Sequence, residues 1–219
     1  MSRDETLTDS PAATGIRVAD FGGLPIAYDE RVLEPRPWTT AQSYWAAEIL
    51  PGLPEGPVLE LCAGAGQIGL LAVLDSDRQL VCVELDNVAA AYAAGNALGA
   101  GMDGRVEIRE GNLRHAVARD EFFPLILADP PWVSTNQVDR FPADPRTAID
   151  GGLDGLDVAR DCLAVIQSHL APGGAALLQL GSAEQCEVVE ALVAGRLVPG
   201  GRRVHPGQGA VLRLDRVTD

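Results

Sequence analysis

The sequence contains no lysine, so all 17 of its basic side chains are arginines, against 31 aspartates and glutamates. The formal net charge is -14, and no run of basic residues is longer than Arg202-Arg203. A protein that binds duplex nucleic acid usually carries clustered positive charge that attracts the phosphate backbone. We therefore expect that long duplex nucleic acid is not a partner of this protein.

Long apolar runs, paired cysteines and clustered histidines are also missing. No stretch stays apolar for the roughly 18 residues of a membrane helix, and no signal-peptide pattern opens the chain. The cysteines form no C-x-x-C pair, and the three histidines stand singly. We therefore expect a soluble, cytoplasmic protein with no bound metal and with reduced, small core cysteines. These cysteines are Cys62, Cys82, Cys162 and Cys186.

The remaining composition predicts an α/β fold of ordinary size. With 219 residues and 47% hydrophobic residues, the chain can bury one main core. Residues 1–15 have the composition of a flexible tail, residues 16–57 predict a hairpin and a helix packed on the core, and residues 58–219 predict the main domain.

Strand and helix patterns alternate through the main domain. Strands are predicted at 58–61, 79–84, 105–109, 125–128 and 175–180, and helices at 69–74, 87–98, 157–170 and 184–194. This alternation is typical of βαβ units on a parallel sheet with helices on both faces. Residues 202–204 and 210–214 predict a closing antiparallel hairpin.

A glycine loop follows the first predicted strand of this domain. Gly64, Gly66 and Gly69 satisfy the G-x-G-x-x-G spacing of dinucleotide-binding enzymes, and Glu84 follows at the distance of a ribose-binding acid. Glu60, however, precedes this loop, and a carboxylate there would repel a pyrophosphate but attract a cationic sulfonium ligand. The loop therefore favours S-adenosylmethionine over NAD, although both remain open at this point.

Another motif, Asp129-Pro130-Pro131-Trp132, follows the apolar strand that ends at Ala128. The two prolines restrict the backbone, so that the Asp129 side chain and the Pro130 carbonyl can accept hydrogen bonds from one NH₂ group. Trp132 offers a flat face for stacking. These residues predict an acceptor site for methyl transfer to a planar nitrogen, at the edge of the sheet where ligands of open α/β folds bind.

Three stretches together resemble the HemK-like family, the release-factor glutamine methyltransferases. Residues 33–40, LEPRPWTT, are similar to the family pattern L-x-P-R-P-E-T-E, and DPPW at 129–132 is similar to N-P-P-Y. Residues 148–156, AIDGGLDGL, resemble A-L-D-G-G-x-D-G-L. The matches span about residues 20–181.

The resemblance implies a Rossmann-like class I methyltransferase fold, with a seven-stranded, mostly parallel sheet and S-adenosyl-L-methionine as cofactor. We interpret the D-G-G segment at 150–152 as a wall of the acceptor site, and the alternative is a flexible acidic surface loop. The catalytic residues that the resemblance implies are Asp129, Pro130, Pro131 and Trp132. The cofactor-binding residues it implies are Arg36, Thr39, Glu60, Cys62, Ala63, Gly64, Gly66, Glu84, Leu85, Asn112, Leu113 and Asp129.

The sequence departs from the family pattern at several of these positions. Asp129 and Trp132 replace Asn and Tyr, which is more similar to adenine N6-methyltransferases, and Cys62 replaces a glycine. Trp38 and Thr40 replace both acids of the P-R-P-E-T-E stretch. Only about 30 residues precede the core, so we expect no helical N-terminal domain for holding a release factor.

Several functions remain open from the sequence alone. The acceptor can be a protein glutamine, a base in RNA or DNA, or a small-molecule amide or amine, and the acidic charge favours protein or small molecule. Two further classes are a NAD(P)-dependent oxidoreductase and a non-catalytic cofactor-binding subunit that needs a partner. The sequence does not predict the oligomeric state.

Overall fold

The computed structural model describes residues 15–193 and 195–216. Its strands are β1 (Arg17–Phe21), β2 (Leu24–Tyr28), β3 (Val58–Leu61), β4 (Leu80–Glu84), β5 (Val106–Glu110), β6 (Phe123–Ala128), β7 (Leu170–Leu180), β8 (Val198–His205) and β9 (Gly209–Asp215). Its helices are α1 (Thr40–Ile49), α2 (Gln67–Ala72), α3 (Asn87–Gly99), α4 (Arg146–Ile149), α5 (Asp157–His169) and α6 (Ala183–Val193).

The main sheet has seven strands in the order β5-β4-β3-β6-β7-β9-β8. The five strands from β5 to β7 are parallel, whereas β9 pairs antiparallel with both β7 and β8. The order reverses between β3 and β6, which creates a crevice at the carboxyl ends of these two strands. The predicted fold class is therefore confirmed.

Most predicted elements lie within a few residues of the observed ones. The 3₁₀ helix at Thr135–Arg140 and the short α4 were not predicted, because such short helices carry no periodic apolar pattern. Strand β7 begins at Leu170, earlier than expected. The predicted tail lies outside the described residues except for Gly15, and Ala194, the predicted end of α6, also lies outside them.

The sheet is covered on both faces, which explains why its central strands are apolar without alternation. All four residues of β3 and all six of β6 are buried. Val58 packs with residues of the hairpin, α1, α2 and α3, whereas Leu59 and Leu61 pack with residues of α5 and α6. Because side chains alternate along a strand, Glu60 lies on the same face as Val58, under α2.

The N-terminal hairpin β1–β2 is joined to the glycine loop through one buried asparagine. Asn96 Oδ1, on α3, accepts a hydrogen bond from Ala27 N at 2.8 Å. Asn96 Nδ2 donates to Ala27 O at 3.0 Å and to Ala65 O at 2.9 Å. The side chain therefore joins the hairpin to the start of the crevice.

Within residues 15–193 and 195–216, no helix is both long and apolar enough to span a membrane.

Candidate active site

Four chain segments meet at the carboxyl edge of the parallel strands. The glycine loop follows β3, Glu84 ends β4, Asn112 follows β5, and Asp129 follows β6 directly. Adjacent parallel strands place their carboxyl ends at one edge, so residues far apart in sequence become neighbours here. The predicted cofactor and acceptor motifs thus lie side by side across the crevice.

The glycine loop turns sharply into α2. Cys62 has a φ of 56°, and it has the only positive φ among the non-glycine residues that the structure describes. Gly66, with a φ of 80°, precedes α2, and its amide donates to Ala63 O at 2.8 Å. The family glycine that Cys62 replaces therefore corresponds to a left-handed position, where a side chain is strained.

The Glu84 carboxylate supports this loop from the end of β4. Its Oε2 accepts a hydrogen bond from Gly64 N at 2.7 Å, and its Oε1 accepts one from Asp86 N at 2.9 Å. Each carboxylate oxygen can accept a further hydrogen bond. Glu84 is only partly buried, so it remains available to a ligand at the loop.

Glu60 lies beneath the loop instead of lining the crevice. Its side chain is buried, its Oε1 accepts a hydrogen bond from Gly69 N at 3.0 Å, and its Oε2 accepts one from Cys82 Sγ at 3.3 Å. Burial, together with the negative charges of Asp129 and Glu84, raises the pKa of Glu60 to about 8. Glu60 therefore contacts the base of the loop, and direct contact with a cofactor stays a prediction.

This buried acid makes a specific prediction about stability and pH. The folded-state pKa of Glu60 lies above its ordinary value of 4.5, so the native state holds a proton that the unfolded chain loses. The contribution of Glu60 to the free energy of unfolding is complete below pH 4.5 and is lost as the pH rises through about 8. We expect the melting temperature to fall more steeply between pH 5 and 8.5 in the wild type than in Glu60→Gln. Equal slopes would contradict a protonated Glu60.

A cavity of about 240 Å³ lies beside Asp129. Two polypeptide segments far apart in sequence form its walls, together with the loop that follows β6. Its lining residues are Leu33, Arg36, Trp38, Thr39, Asp129, Pro130, Pro131, Trp132, Val133, Phe141, Asp144, Ala148 and Ile149. The cavity therefore brings together all four predicted catalytic residues and three predicted cofactor-binding residues, Arg36, Thr39 and Asp129 itself.

The position of Asp129 changes its acidity. Burial raises the pKa of this carboxyl to about 7. A carboxylate in such surroundings interacts strongly with any positive charge that enters the cavity, because little water screens it. Asp129 can therefore exist in both protonation states near neutral pH.

Trp132 is held in place from behind. A Cβ atom added at Gly181 would overlap the indole ring, so the ring packs against the backbone just after β7. Trp132 also packs against the small apolar cluster of Val133, Val138 and Ile149. The indole therefore lines the cavity as a supported surface, and its stacking on an acceptor stays a prediction.

An ion pair closes one side of the cavity. Arg36 Nη2 lies 2.6 Å from both carboxylate oxygens of Asp144, and its guanidinium lies 5.7 Å from the centre of the Trp38 ring. Sequence reasoning missed Asp144 and Phe141 because their loop carries no recognisable motif. Phe141 is an exposed aromatic residue in a polar segment, and that was the one available signal.

The D-G-G segment supports the acceptor motif through its backbone. Val133 N donates to Ile149 O at 2.9 Å, and Gly151 N donates to Val133 O at 2.8 Å. A Cβ atom at Gly151 would come within 2.6 Å of Pro131 O, and one at Gly155 would overlap Trp132 O. The glycines of this motif therefore allow two backbone segments to approach closely.

Replacing Gly155 with alanine tests this close approach. Gly155 has a φ of 75°, so a side chain is strained there and also displaces the carbonyl of Trp132. We expect a loss of about 1–3 kcal/mol in the free energy of unfolding, measured by urea denaturation. Gly95→Ala is the control, since an added Cβ there meets no atom within 4 Å. A wild-type stability for Gly155→Ala would contradict the packing described.

The remaining predicted site residues lie around the crevice without lining the cavity. Leu85 is 70% exposed, Asn112 Oδ1 accepts a hydrogen bond from Arg114 N, and Leu113 packs against the core of the α5 face. Thr39, which does line the cavity, precedes α1, and its hydroxyl donates to Arg36 O. Their contacts with a cofactor stay predictions.

Comparison with known proteins gives the family. Residues 43–178 match the family model described as "Methyltransferase small domain". The match covers both the glycine loop and the DPPW motif. The chain belongs to this methyltransferase family. The resemblance inferred from the three motifs is confirmed, and so is the prediction of a methyltransferase domain with S-adenosyl-L-methionine as cofactor.

Two curated relatives of this methyltransferase are similar over most of the chain. A ribosomal protein uL3 glutamine methyltransferase from Bradyrhizobium diazoefficiens is 34% identical over 80% of this chain and 58% of its own length. A release factor glutamine methyltransferase from Deinococcus radiodurans is 34% identical over 74% of this chain and 58% of its own length. The chain thus spans less than two thirds of these relatives.

A solved structure supports the fold independently. The RNA methyltransferase from Salinibacter ruber in complex with S-adenosyl-L-homocysteine has a TM-score of 0.54 and 18% sequence identity. The similarity covers 86% of this chain and 95% of that one.

The residues at the crevice of this methyltransferase fit a cationic cofactor. Two acids, Glu84 and Asp129, lie at the crevice, close enough to the buried Glu60 to affect its pKa. A Cβ atom at Gly64 would meet only the Gln67 carboxamide, at 3.9 Å, so the space beside the loop is open. These acids would repel a pyrophosphate, which disfavours the NAD alternative. Within the described residues, no group of three or more potential ligands could hold a metal ion.

Proposed function

We propose that the chain is an S-adenosylmethionine-dependent N-methyltransferase that methylates the side-chain amide of a protein glutamine. The observation that carries this proposal is the position of the DPPW motif. It follows β6 directly, lines the cavity, and adjoins the glycine loop across the paired strands β3 and β6. A nitrogen held in the cavity would lie next to a cofactor bound at the loop.

The chain's own groups orient the acceptor. The Asp129 carboxylate and the Pro130 carbonyl would each accept one hydrogen bond from the acceptor NH₂, which turns the nitrogen lone pair out of the hydrogen-bonded plane. The bound cofactor supplies an electrophilic methyl group. Asp129 would also stabilise the positive charge that develops on nitrogen, and strongly so because this carboxyl is partly withdrawn from water.

The cofactor side of the proposal rests on Glu84 and the loop. Glu84 would accept hydrogen bonds from the ribose hydroxyls while it keeps Gly64 N in place. Cys62, Ala63, Gly64 and Gly66 would line the methionine part, and Leu85, Asn112 and Leu113 would lie near the adenine. Arg36 and Thr39 would contact the cofactor from the side of the cavity wall.

A protein glutamine is favoured over other acceptors by two considerations. The curated relatives named above are glutamine methyltransferases of ribosomal protein uL3 and of release factors. The net charge of -14 suits a basic protein partner better than a nucleic acid. The second candidate is an adenine-type amine, which the presence of Asp129 and Trp132 in place of Asn and Tyr favours.

Methyl transfer to defined acceptors tests the proposal. Purified protein is incubated with tritiated S-adenosylmethionine and unmodified uL3, release factor, a single-stranded adenine-containing oligonucleotide or free glutamine. We expect label in a protein acceptor, at a glutamine identified by mass spectrometry, and none with Asp129→Ala. Label found only in the oligonucleotide would show that the acceptor is an adenine and not a glutamine. Cofactor binding without any transfer would indicate a subunit that needs a partner.

A further inference from the structure

Gln42, on α1, is a buried residue that no motif contains. Its side chain is fully inaccessible, and its Nε2 donates to two backbone carbonyls, Ala128 O at 3.1 Å and Leu177 O at 2.9 Å. These carbonyls belong to the neighbouring strands β6 and β7. Its Oε1 is buried and has no hydrogen-bond partner in the part of the chain that the structure describes.

One of these two carbonyls belongs to the peptide group that enters the acceptor motif. Ala128 O and Asp129 N are part of the same rigid peptide plane, because the bond between them has partial double-bond character. A hydrogen bond that fixes Ala128 O therefore restricts the orientation of the plane from which Asp129 starts. Gln42 acts one residue upstream of the group that would bind the acceptor.

The other end of the same contact lies on the helix that directly follows one wall of the cavity. Helix α1 begins at Thr40, directly after Trp38 and Thr39, which line the cavity. Gln42 lies in the first turn of this helix. It therefore joins the wall formed by residues 36–39 to the strand that carries Asp129, across 86 residues of sequence.

An apolar side chain would not serve this purpose. A buried amide with an unpaired oxygen is unfavourable, and a leucine of similar size would fill the space without that penalty. Leucine, however, cannot donate to the carbonyls of Ala128 and Leu177. The presence of an amide side chain at position 42 is therefore explained by its hydrogen bonds to these two carbonyls and not by packing.

We propose that Gln42 is a positioning residue for methyl transfer, which holds Asp129 at the correct distance and orientation relative to the cavity wall that precedes α1. This inference rests on the proposed function for its kinetic consequence. The structural part of the inference is independent of the proposed function, since the surroundings of Asp129 can be measured without an acceptor.

The test compares Gln42→Leu and Gln42→Met with the control Ser43→Ala. Ser43 is the next residue on α1, is also buried, and donates from Oγ to Ile68 O at 2.9 Å, away from β6. Ser43→Ala therefore removes one buried hydrogen bond of the same helix without freeing Ala128 O. Gln42→Met, which is unbranched, carries the test if Gln42→Leu fails to fold.

Two measurements are made on each variant. The first is the titration of the Asp129 carboxyl by ¹³C NMR of the whole protein, with the resonance assigned by its loss in Asp129→Asn. The wild type should titrate near pH 7, and the Gln42 variants about one unit or more lower, because a displaced Asp129 becomes hydrated. The second is kcat and the KM for S-adenosylmethionine, with unmodified uL3 or release factor as the acceptor.

We expect kcat to fall about 10- to 100-fold in both Gln42 variants, with a much smaller change in the cofactor KM, because the glycine loop and Glu84 are untouched. Ser43→Ala should keep the wild-type kcat and titration. A wild-type titration and kcat in the Gln42 variants, or the same losses in Ser43→Ala, would overturn the proposal. If the wild type itself methylates neither protein, the glutamine proposal fails, and the NMR titration still decides the role of Gln42.

Discussion

Replacing Asp129 with alanine is expected to lower kcat/KM by about 10²- to 10³-fold, the typical effect of removing one preorganised polar group that stabilises transition-state charge. The variant loses one of the two hydrogen-bond acceptors for the NH₂ group. It also loses the negative charge that lies near the nitrogen as positive charge passes to it. The cofactor affinity should change much less, because the loop and Glu84 are untouched.

The pH dependence of the wild type distinguishes these contributions. Burial raises the pKa of Asp129 to about 7, and the ionised form is the one that stabilises positive charge. We therefore expect kcat/KM to fall as the pH drops below about 7 and to level off above it. Asp129→Asn keeps one acceptor oxygen but cannot ionise, so it should retain partial activity without this dependence. An unchanged pH profile in Asp129→Asn would show that another group titrates.

Replacing Glu84 with alanine is expected to weaken S-adenosylmethionine binding about 10- to 100-fold. The variant removes the proposed ribose contact and also frees Gly64 N and Asp86 N, which its carboxylate holds at 2.7 and 2.9 Å. A hydrogen bond to a charged group typically contributes about 1.5–3 kcal/mol, which corresponds to this range of affinity. Isothermal titration calorimetry measures the change directly.

The control for this second prediction is Glu55→Ala. Glu55→Ala changes the net charge by the same amount as Glu84→Ala. Glu55 is 98% exposed and precedes β3, at the edge of the sheet opposite the crevice. We expect wild-type binding in that variant. Equal weakening in both variants would show that only the overall charge matters, and unchanged binding in Glu84→Ala would remove Glu84 from the cofactor site.

The sequence predicted the fold well where its signals are local. Apolar runs such as 125–128 and the glycine loop at 62–66 fix strands and a strand-to-helix turn through neighbouring residues alone. The structure differs mainly at short elements such as Thr135–Arg140, which a few local hydrogen bonds and tertiary contacts stabilise. Site residues within motifs, such as Asp129 and Trp132, were likewise predicted because they adjoin a strand end.

Residues outside motifs were not predicted, because their function depends on partners distant in sequence. Asp144 pairs with Arg36 across 108 residues, and Gln42 reaches Leu177 across 135. The direction in which the Glu60 side chain points was also not predicted from the sequence. The pleat of β3 turns Glu60 toward Gly69 and Cys82 beneath the loop, and its contact with a cofactor stays a prediction.

The sequence by itself determined that this chain forms a parallel α/β sheet with a glycine loop and a DPPW motif at its carboxyl edge, because strand pattern, turn residues and motif spacing are properties of neighbouring residues. Only the tertiary structure decided which groups face the cavity, how far the withdrawal of Asp129 and Glu60 from water raises their pKa values, and which distant side chains hold the walls together. Burial, electrostatic coupling and long-range hydrogen bonds arise only when separate segments pack against one another.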